Sequence, residues 1–227
     1  AHCEIMDDVR ITGCVRLGAK CKIGNDTRLN GEITLGEECV LDMQVVMKGP
    51  IKAGARNKFD LRSFIGKVDE KRCGHIEIGN DNYFAGMSTV FQPRGKLYPT
   101  WKPLPPGVSP DDSVPNVTRV GNNCFLAMSI GISHDCKVDD GCAVSGATSG
   151  YCHFLKGSRS APGSILHQFA TLGRGAFVTM HVKLAADLLP HTVVNIDGRC
   201  LVDALGLGRS GISIEDAHDL EDFYWTH

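Results

Sequence analysis

The residues best suited to chemistry stand together in Ile132-Ser133-His134-Asp135-Cys136. Free imidazole titrates near neutral pH, so a histidine can take a proton from a hydroxyl, and a neighbouring carboxylate fixes which ring nitrogen carries its own proton. On spacing alone the same pair also fits an ordinary surface histidine. His134 follows Ile132 by two positions in the series Val120, Leu126, Ile132, Val138, Val144, in which a hydrophobic residue returns every six residues. It therefore falls on a corner between strands, and its imidazole is expected to face outward.

The elements that position this corner are written through most of the chain. Steps of six from the start give Ile5, Ile11, Leu17, Ile23, Leu29, Leu35, Leu41, Met47, Ala53, Phe59 and Ile65, with no polar member. A period of six is too short for a repeat containing a helix and does not match helical spacing, whereas short strands joined by tight corners satisfy it. Three such sides make one triangular coil, and the fold class is all-β. An antiparallel sandwich fits less well, because sandwiches do not hold one phase for so long. After each ladder position come residues such as Gly18, Gly24, Asn30, Gly36 and Asp42, which tolerate the tight backbone of a corner.

Breaks in phase mark the organisation. The repeat is expected over 1–190, with external loops near 67–75 and 94–119. The second loop holds Tyr98, Trp101 and six of the ten prolines, and proline cannot donate to a sheet ladder. It either covers a site rim or is a solvated loop. From Val120 the ladder is expected to run clean to Gly150 and to resume at Leu166, which makes Ser158-Arg159-Ser160-Ala161-Pro162-Gly163 a corner of altered length. The extension 191–227 is expected to be partly helical, from Ile214 to His227, with Ser213 as N-cap and Glu215 and Asp216 in the first turn. It ends on the aromatic pair Tyr224 and Trp225.

Composition narrows the function classes. A formal net charge of -2 over 227 residues argues against a nucleic-acid surface or a polybasic membrane patch. No apolar run approaches the roughly 18 residues that span a bilayer, and the first residues lack the order of a signal peptide, so a cytoplasmic protein is expected. Of the ten cysteines, Cys3, Cys21, Cys39, Cys124, Cys136 and Cys142 lie two residues before a ladder position and read as buried, reduced packing residues. No Cys-x-x-Cys pair argues for zinc, and no metal or cofactor is expected.

The order Gly121-Asn122-Asn123, His134-Asp135, His153, then His167-Gln168-Phe169 resembles the UDP-N-acetylglucosamine O-acyltransferases of lipid A synthesis, within the hexapeptide-repeat acyltransferase superfamily. The resemblance implies a left-handed parallel β-helix, an exception to the usual right-handed crossover. It implies that His134 is the general base, that Asp135 orients it, and that a backbone N–H at Cys152 stabilises the oxyanion. His153, His167 and Gln168 would contact the nucleotide sugar or the acyl group. Arg209 would lie near the substrate phosphates, and Met180 would limit acyl length. Two positions depart from the family: Gly131 and Phe91-Gln92-Pro93-Arg94 stand where histidines are usual.

The partners implied are an acyl carrier protein thioester, a UDP-amino sugar and two further copies in a homotrimer with sites between subunits. The tail, however, carries Glu215, Asp216, Asp219, Glu221 and Asp222 with no Lys or Arg after Arg209. An acidic carrier would then dock elsewhere, for example on the surface bearing Lys183 and Arg174, or the donor is another thioester. Two readings compete with the carrier-dependent enzyme: a coenzyme A-dependent acyl or acetyltransferase on an amino sugar, and a non-catalytic β-helix scaffold. A zinc hydratase on the same coil is disfavoured by the spacing of His134, His153 and His167.

Overall fold

The computed structural model describes residues 2–67, 74–94, 116–209 and 211–226. Short strands lie on three faces, each bonded in parallel to its counterpart one coil on, as Lys22 pairs Val40 and Val40 pairs Lys58. This is the all-β, left-handed parallel β-helix that the resemblance implies. Among the described residues the first face is an 11-stranded sheet and the third an 8-stranded sheet. The second face is divided into sheets of six and three strands, the break falling between Gly131–Ile132 and Ala147–Thr148.

The ladder residues fill the interior. Ile23, Leu41, Phe59, Phe84 and Leu126 stack down the first face with at most 1% exposure, and the rings of Phe59 and Phe84 are stacked at 4.5 Å. Ile5 and Ile11 depart from the expected pattern, being half-exposed on the first described coil, which is covered on one side only among the described residues. Of the six cysteines expected inside, five are buried and Cys3, on that same first coil, is only partly so.

Corners work differently from the reading of their glycines. Positive φ falls three residues after the ladder, at Lys20 (59°), Asp26 (58°) and Glu38 (57°). Glycine directly after the ladder serves a close approach instead: a Cβ on Gly18 would lie 2.4 Å from the backbone of the next coil. Buried asparagines tie three coils together, Asn82 donating from Nδ2 to Asn57 Oδ1 (2.9 Å) and to Gly121 O (2.8 Å). Its own Oδ1 accepts from Cys124 N at 2.7 Å.

The phase change lies at a different corner from the one expected. After Val144 the ladder residues are Thr148, Phe154 and Ser160, so the shortened corner is Ser145–Gly146 and the segment 158–163 belongs to an ordinary coil. Ser160 Oγ accepts from the N–H groups of both Ser145 and Gly146, each at 3.2 Å, and so clamps the short corner. Polar Thr148 and Ser160 hide the ladder there. From Ile132 to Thr148 is consequently 16 residues, where 18 complete a regular coil.

The two breaks between described residues follow Phe64–Gly66 and Thr89–Phe91, both second-face strands, and the next described strands, His75–Ile78 and Val117–Val120, are on the third face, so both breaks fall on the edge that carries His134. Most of the expected external loops, including Tyr98 and Trp101, lies outside the described residues. Beyond Pro190, Thr192–Val194 extends the first face and Cys200–Val202 folds back antiparallel on it. A short helix α1 (Ala204–Arg209), not anticipated, precedes α2 (Ile214–Thr226). Ser213 Oγ accepts from Asp216 N at 3.0 Å, the N-cap bond expected. Tyr224 donates to Pro190 O at 3.1 Å, while the Trp225 side chain lies outside the described residues. No described helix is long and apolar enough to cross a membrane.

Candidate active site

Three edges run along the coil, and the residues singled out in the sequence divide among them. On the edge between the second and third faces stand His134, Gly150 and Gln168, each two residues after its ladder residue Ile132, Thr148 and Leu166. The next column is Asp135, Tyr151 and Phe169, all in the left-handed region at φ 60°, 63° and 71°.

His134 faces outward from the coil yet is sheltered, its side chain 13% exposed and that of Asp135 7%, so the exposed imidazole expected from its corner is corrected. The shelter comes from the next coil. A Cβ on Gly150 would lie 2.2 Å from His134 Cε1, and Tyr151 meets the imidazole edge-on at 5.3 Å between ring centroids. Phe169 stacks on Tyr151 at 5.0 Å. Tyr151 was not singled out in the sequence, because the shortened corner disguised its position.

His134 Nδ1 lies 2.9 Å from Asp135 Oδ2, and that oxygen also accepts the backbone N–H of Arg94 at 3.0 Å. A proton on Nδ1 donated to the carboxylate leaves Nε2 as a lone-pair acceptor. Hydroxyls brace the corner beneath: Thr118 Oγ1 accepts from Asp135 N at 2.9 Å and Thr148 Oγ1 from Ser133 N at 2.8 Å.

The 16-residue coil moves the position matched to Cys152. Counting 18 from His134 reaches Cys152, but the residue stacked against His134 is Gly150, and Cys152 is fully buried with its thiol donating to His167 O at 3.1 Å. The N–H of Gly150 makes no hydrogen bond among the described residues. His153 is displaced likewise. It lies on a third-face strand between Lys137 and Thr171, with Nε2 3.2 Å from Asp139 Oδ1. His167 is exposed at the His134 edge, its Nδ1 3.3 Å from the Gln168 carbonyl oxygen.

Met180 and Arg209 are on the other two edges. Met180, 57% exposed, belongs to the edge between the first and second faces, where Met43, Met87 and Met128 are also exposed. Arg209 ends α1 beside the edge between the third and first faces, in a cavity shared with Arg174 and His191. Within one chain these two residues do not meet His134.

No family model matches the chain. Its sequence is 32% identical over 112 residues to an acyl-[acyl-carrier-protein]–UDP-N-acetylglucosamine O-acyltransferase of Anaeromyxobacter sp. (strain K), covering 48% of this chain and 44% of the relative. The enzyme of the same name from Stenotrophomonas maltophilia is 28% identical over 168 residues, 70% of this chain and 62% of its own. The matches thus span less than two thirds of these relatives. Among solved structures, the UDP-N-acetylglucosamine acyltransferase of Francisella novicida superposes with a TM-score of 0.82 at 19% identity, over 97% of this chain and 78% of its own. That of Arabidopsis gives 0.63 at 20% identity, over 98% and 80%. The coil is the fold of these solved structures, and in sequence the chain is similar to the UDP-N-acetylglucosamine O-acyltransferases.

Proposed function

We propose that the chain is an acyltransferase that moves a fatty acyl group from an acyl carrier protein thioester to the 3-hydroxyl of a UDP-N-acetylglucosamine-type sugar, the first step of lipid A synthesis. The observation that carries the reading is His134, tied to Asp135 at 2.9 Å and stacked against Gly150. His134 Nε2 takes the proton of the sugar hydroxyl as its oxygen attacks the thioester carbonyl. The resulting oxyanion is met by a backbone N–H, the role transferred here from Cys152 to Gly150. Collapse breaks the carbon–sulfur bond, and the leaving thiolate recovers the proton from the imidazolium. Asp135 holds the imidazole in the tautomer that leaves Nε2 free and stabilises the charged ring.

Gln168 and His167, further along the same edge, are read as contacts for the sugar or acyl group. His153 is read as a more distant contact on the neighbouring face. Met180 as acyl ruler and Arg209 as phosphate ligand require a second chain, since both lie on other edges than His134. A homotrimer with sites between subunits supplies one, and we read the protein as such a trimer, cytoplasmic in location.

One observation favours a coenzyme A thioester as donor. Helix α2 presents exposed Glu215, Asp216 and Asp219 and no basic residue in its last turn, a surface that repels an acidic carrier. Thiol release with matched acyl-carrier and acyl-coenzyme A donors, UDP-N-acetylglucosamine being present, decides between them. Release from the carrier thioester alone supports the main reading, and release from coenzyme A alone replaces it with the second. Release from neither removes the transferase reading and leaves a scaffold.

A further inference from the structure

Strand Lys137–Val138 leaves the corner that holds His134, and the outward residues of the third face run from it coil by coil. Lys52, Glu77, Arg119 and Lys137 stand in register on successive coils. A strand spacing of about 4.8 Å puts the backbones of Lys52 and Lys137 roughly 14 Å apart. The one carboxylate in this run is engaged within it: Glu77 Oε2 accepts from Arg119 Nη2 at 2.6 Å, and Oε1 lies 3.0 Å from His75 Nε2. Beyond Lys137, His153 is turned to Asp139 at 3.2 Å. Lys52 and Lys137 are exposed and make no ion pair among the described residues.

The first face differs. Its outward cations are paired, Lys22 with Glu4 at 3.1 Å, Lys58 with Asp60 at 3.3 Å and Arg159 with Asp203 at 2.7 Å. The second face lies between the edges of His134 and Met180, which the proposed trimer joins across subunits, so it is turned inward there. Lys183 and Arg174, expected to share a docking surface, stand apart: Lys183 is on the second face, and Arg174 is on the edge between the third and first faces.

Unpaired ammonium groups on an outward face attract a surface of opposite sign. Helix α2, with exposed Glu215, Asp216 and Asp219, has the sign that such a partner avoids. Resting on the transfer read at His134, we propose that the third face docks an acidic carrier protein through Lys52, Arg119 and Lys137. The carrier then delivers its thioester over the adjoining edge to His134. Roughly 14 Å is two to three helical turns of about 5.4 Å, so one acidic helix of the carrier laid along the coil axis meets all three cations.

Steady-state transfer to UDP-N-acetylglucosamine from acyl carrier protein charged with a fatty acyl group tests it, with melting curves to confirm folding. In Lys52→Gln with Lys137→Gln, KM for the charged carrier should rise about tenfold, as befits the loss of two steering charges, with kcat preserved at saturating carrier. Lys52→Glu with Lys137→Glu should raise it further. Lys20→Gln with Lys22→Gln removes the same charge at the far end of the coil and should leave KM in place. Added salt should raise KM in the unaltered chain and much less in the Lys52/Lys137 variants, because screening acts on exposed charges. Equal KM in the unaltered chain and the Lys52/Lys137 variants, or an equal rise in the Lys20/Lys22 pair, overturns the docking surface and leaves the transferase reading standing. If the unaltered chain transfers nothing, the transferase reading fails by itself, and docking is read from fluorescence titration with the same carrier. A Kd about tenfold weaker in the Lys52/Lys137 variants then supports the surface, and no saturable binding overturns it.

Discussion

Gly150 and His134 face each other across consecutive coils so closely that a single added methyl group would lie 2.2 Å from the imidazole Cε1. The contact exists because the coil between them has lost two residues at Ser145–Gly146. Gly150→Ala is therefore expected to push the ring off its seat. Turnover should fall by about a hundredfold, the usual cost of misplacing a catalytic group by an ångström, while the melting temperature changes by only a few degrees. Unchanged kcat in Gly150→Ala would mean that the imidazole is not held there during reaction.

Asp135 sits at φ 60°, a conformation that asparagine also tolerates. Asp135→Asn should keep the fold while removing the carboxylate that receives the Nδ1 proton. A drop in kcat of about a hundredfold or more is expected from the altered tautomer, measurable by thiol release at saturating substrates. Full activity in this variant would assign Asp135 to the corner's structure alone.

Much of this architecture was legible because burial in a coil demands an apolar side chain at each inward position, and Ile23, Leu41, Phe59 and Leu126 meet that demand. The ladder became illegible where the demand was relaxed: Thr148 and Ser160 spend their hydroxyls on neighbouring backbone, so their polarity concealed the short corner. That concealment carried the position expected opposite His134 to Cys152, whereas Gly150 is the residue that packs against the imidazole, and it hid Tyr151 altogether. The cavity around Arg174 escaped notice because its residues come from separate coils and a helix. A signal was present in the 18-residue spacing of Lys156 and Arg174, and of Arg159 and Phe177.

Asn82 was equally concealed, since asparagine in a sequence suggests a turn. Here it is 2% exposed and bonded to Asn57, Gly121 and Cys124. Asn82→Ala leaves Cys124 N and Gly121 O without these partners in a buried site. A loss of about 2–4 kcal/mol is expected, roughly 1–3 for each buried group left unsatisfied, read by denaturant unfolding. A loss below about 0.5 kcal/mol, the range of an ordinary surface substitution, would show that water replaces the amide.

Burial pushes the Cys39 thiol up to about 11 and the Cys124 thiol up to about 12, and raises that of Cys136 as well. At pH 8 these three are protonated and enclosed, whereas Cys14 is exposed. Iodoacetamide should label Cys14 in the native protein and the other three only after denaturation, as peptide mapping would reveal. Native labelling of Cys124 at the rate of Cys14 would contradict a close-packed coil.

In the proposed reaction His134 removes the proton of the attacking hydroxyl. Single-turnover acyl transfer to UDP-N-acetylglucosamine, compared between the unaltered chain and His134→Ala from a panel of thioester donors, tests it most directly. Transfer should fall by about a hundredfold or more in the variant while its melting curve stays in place. Equal transfer by the two proteins would contradict it.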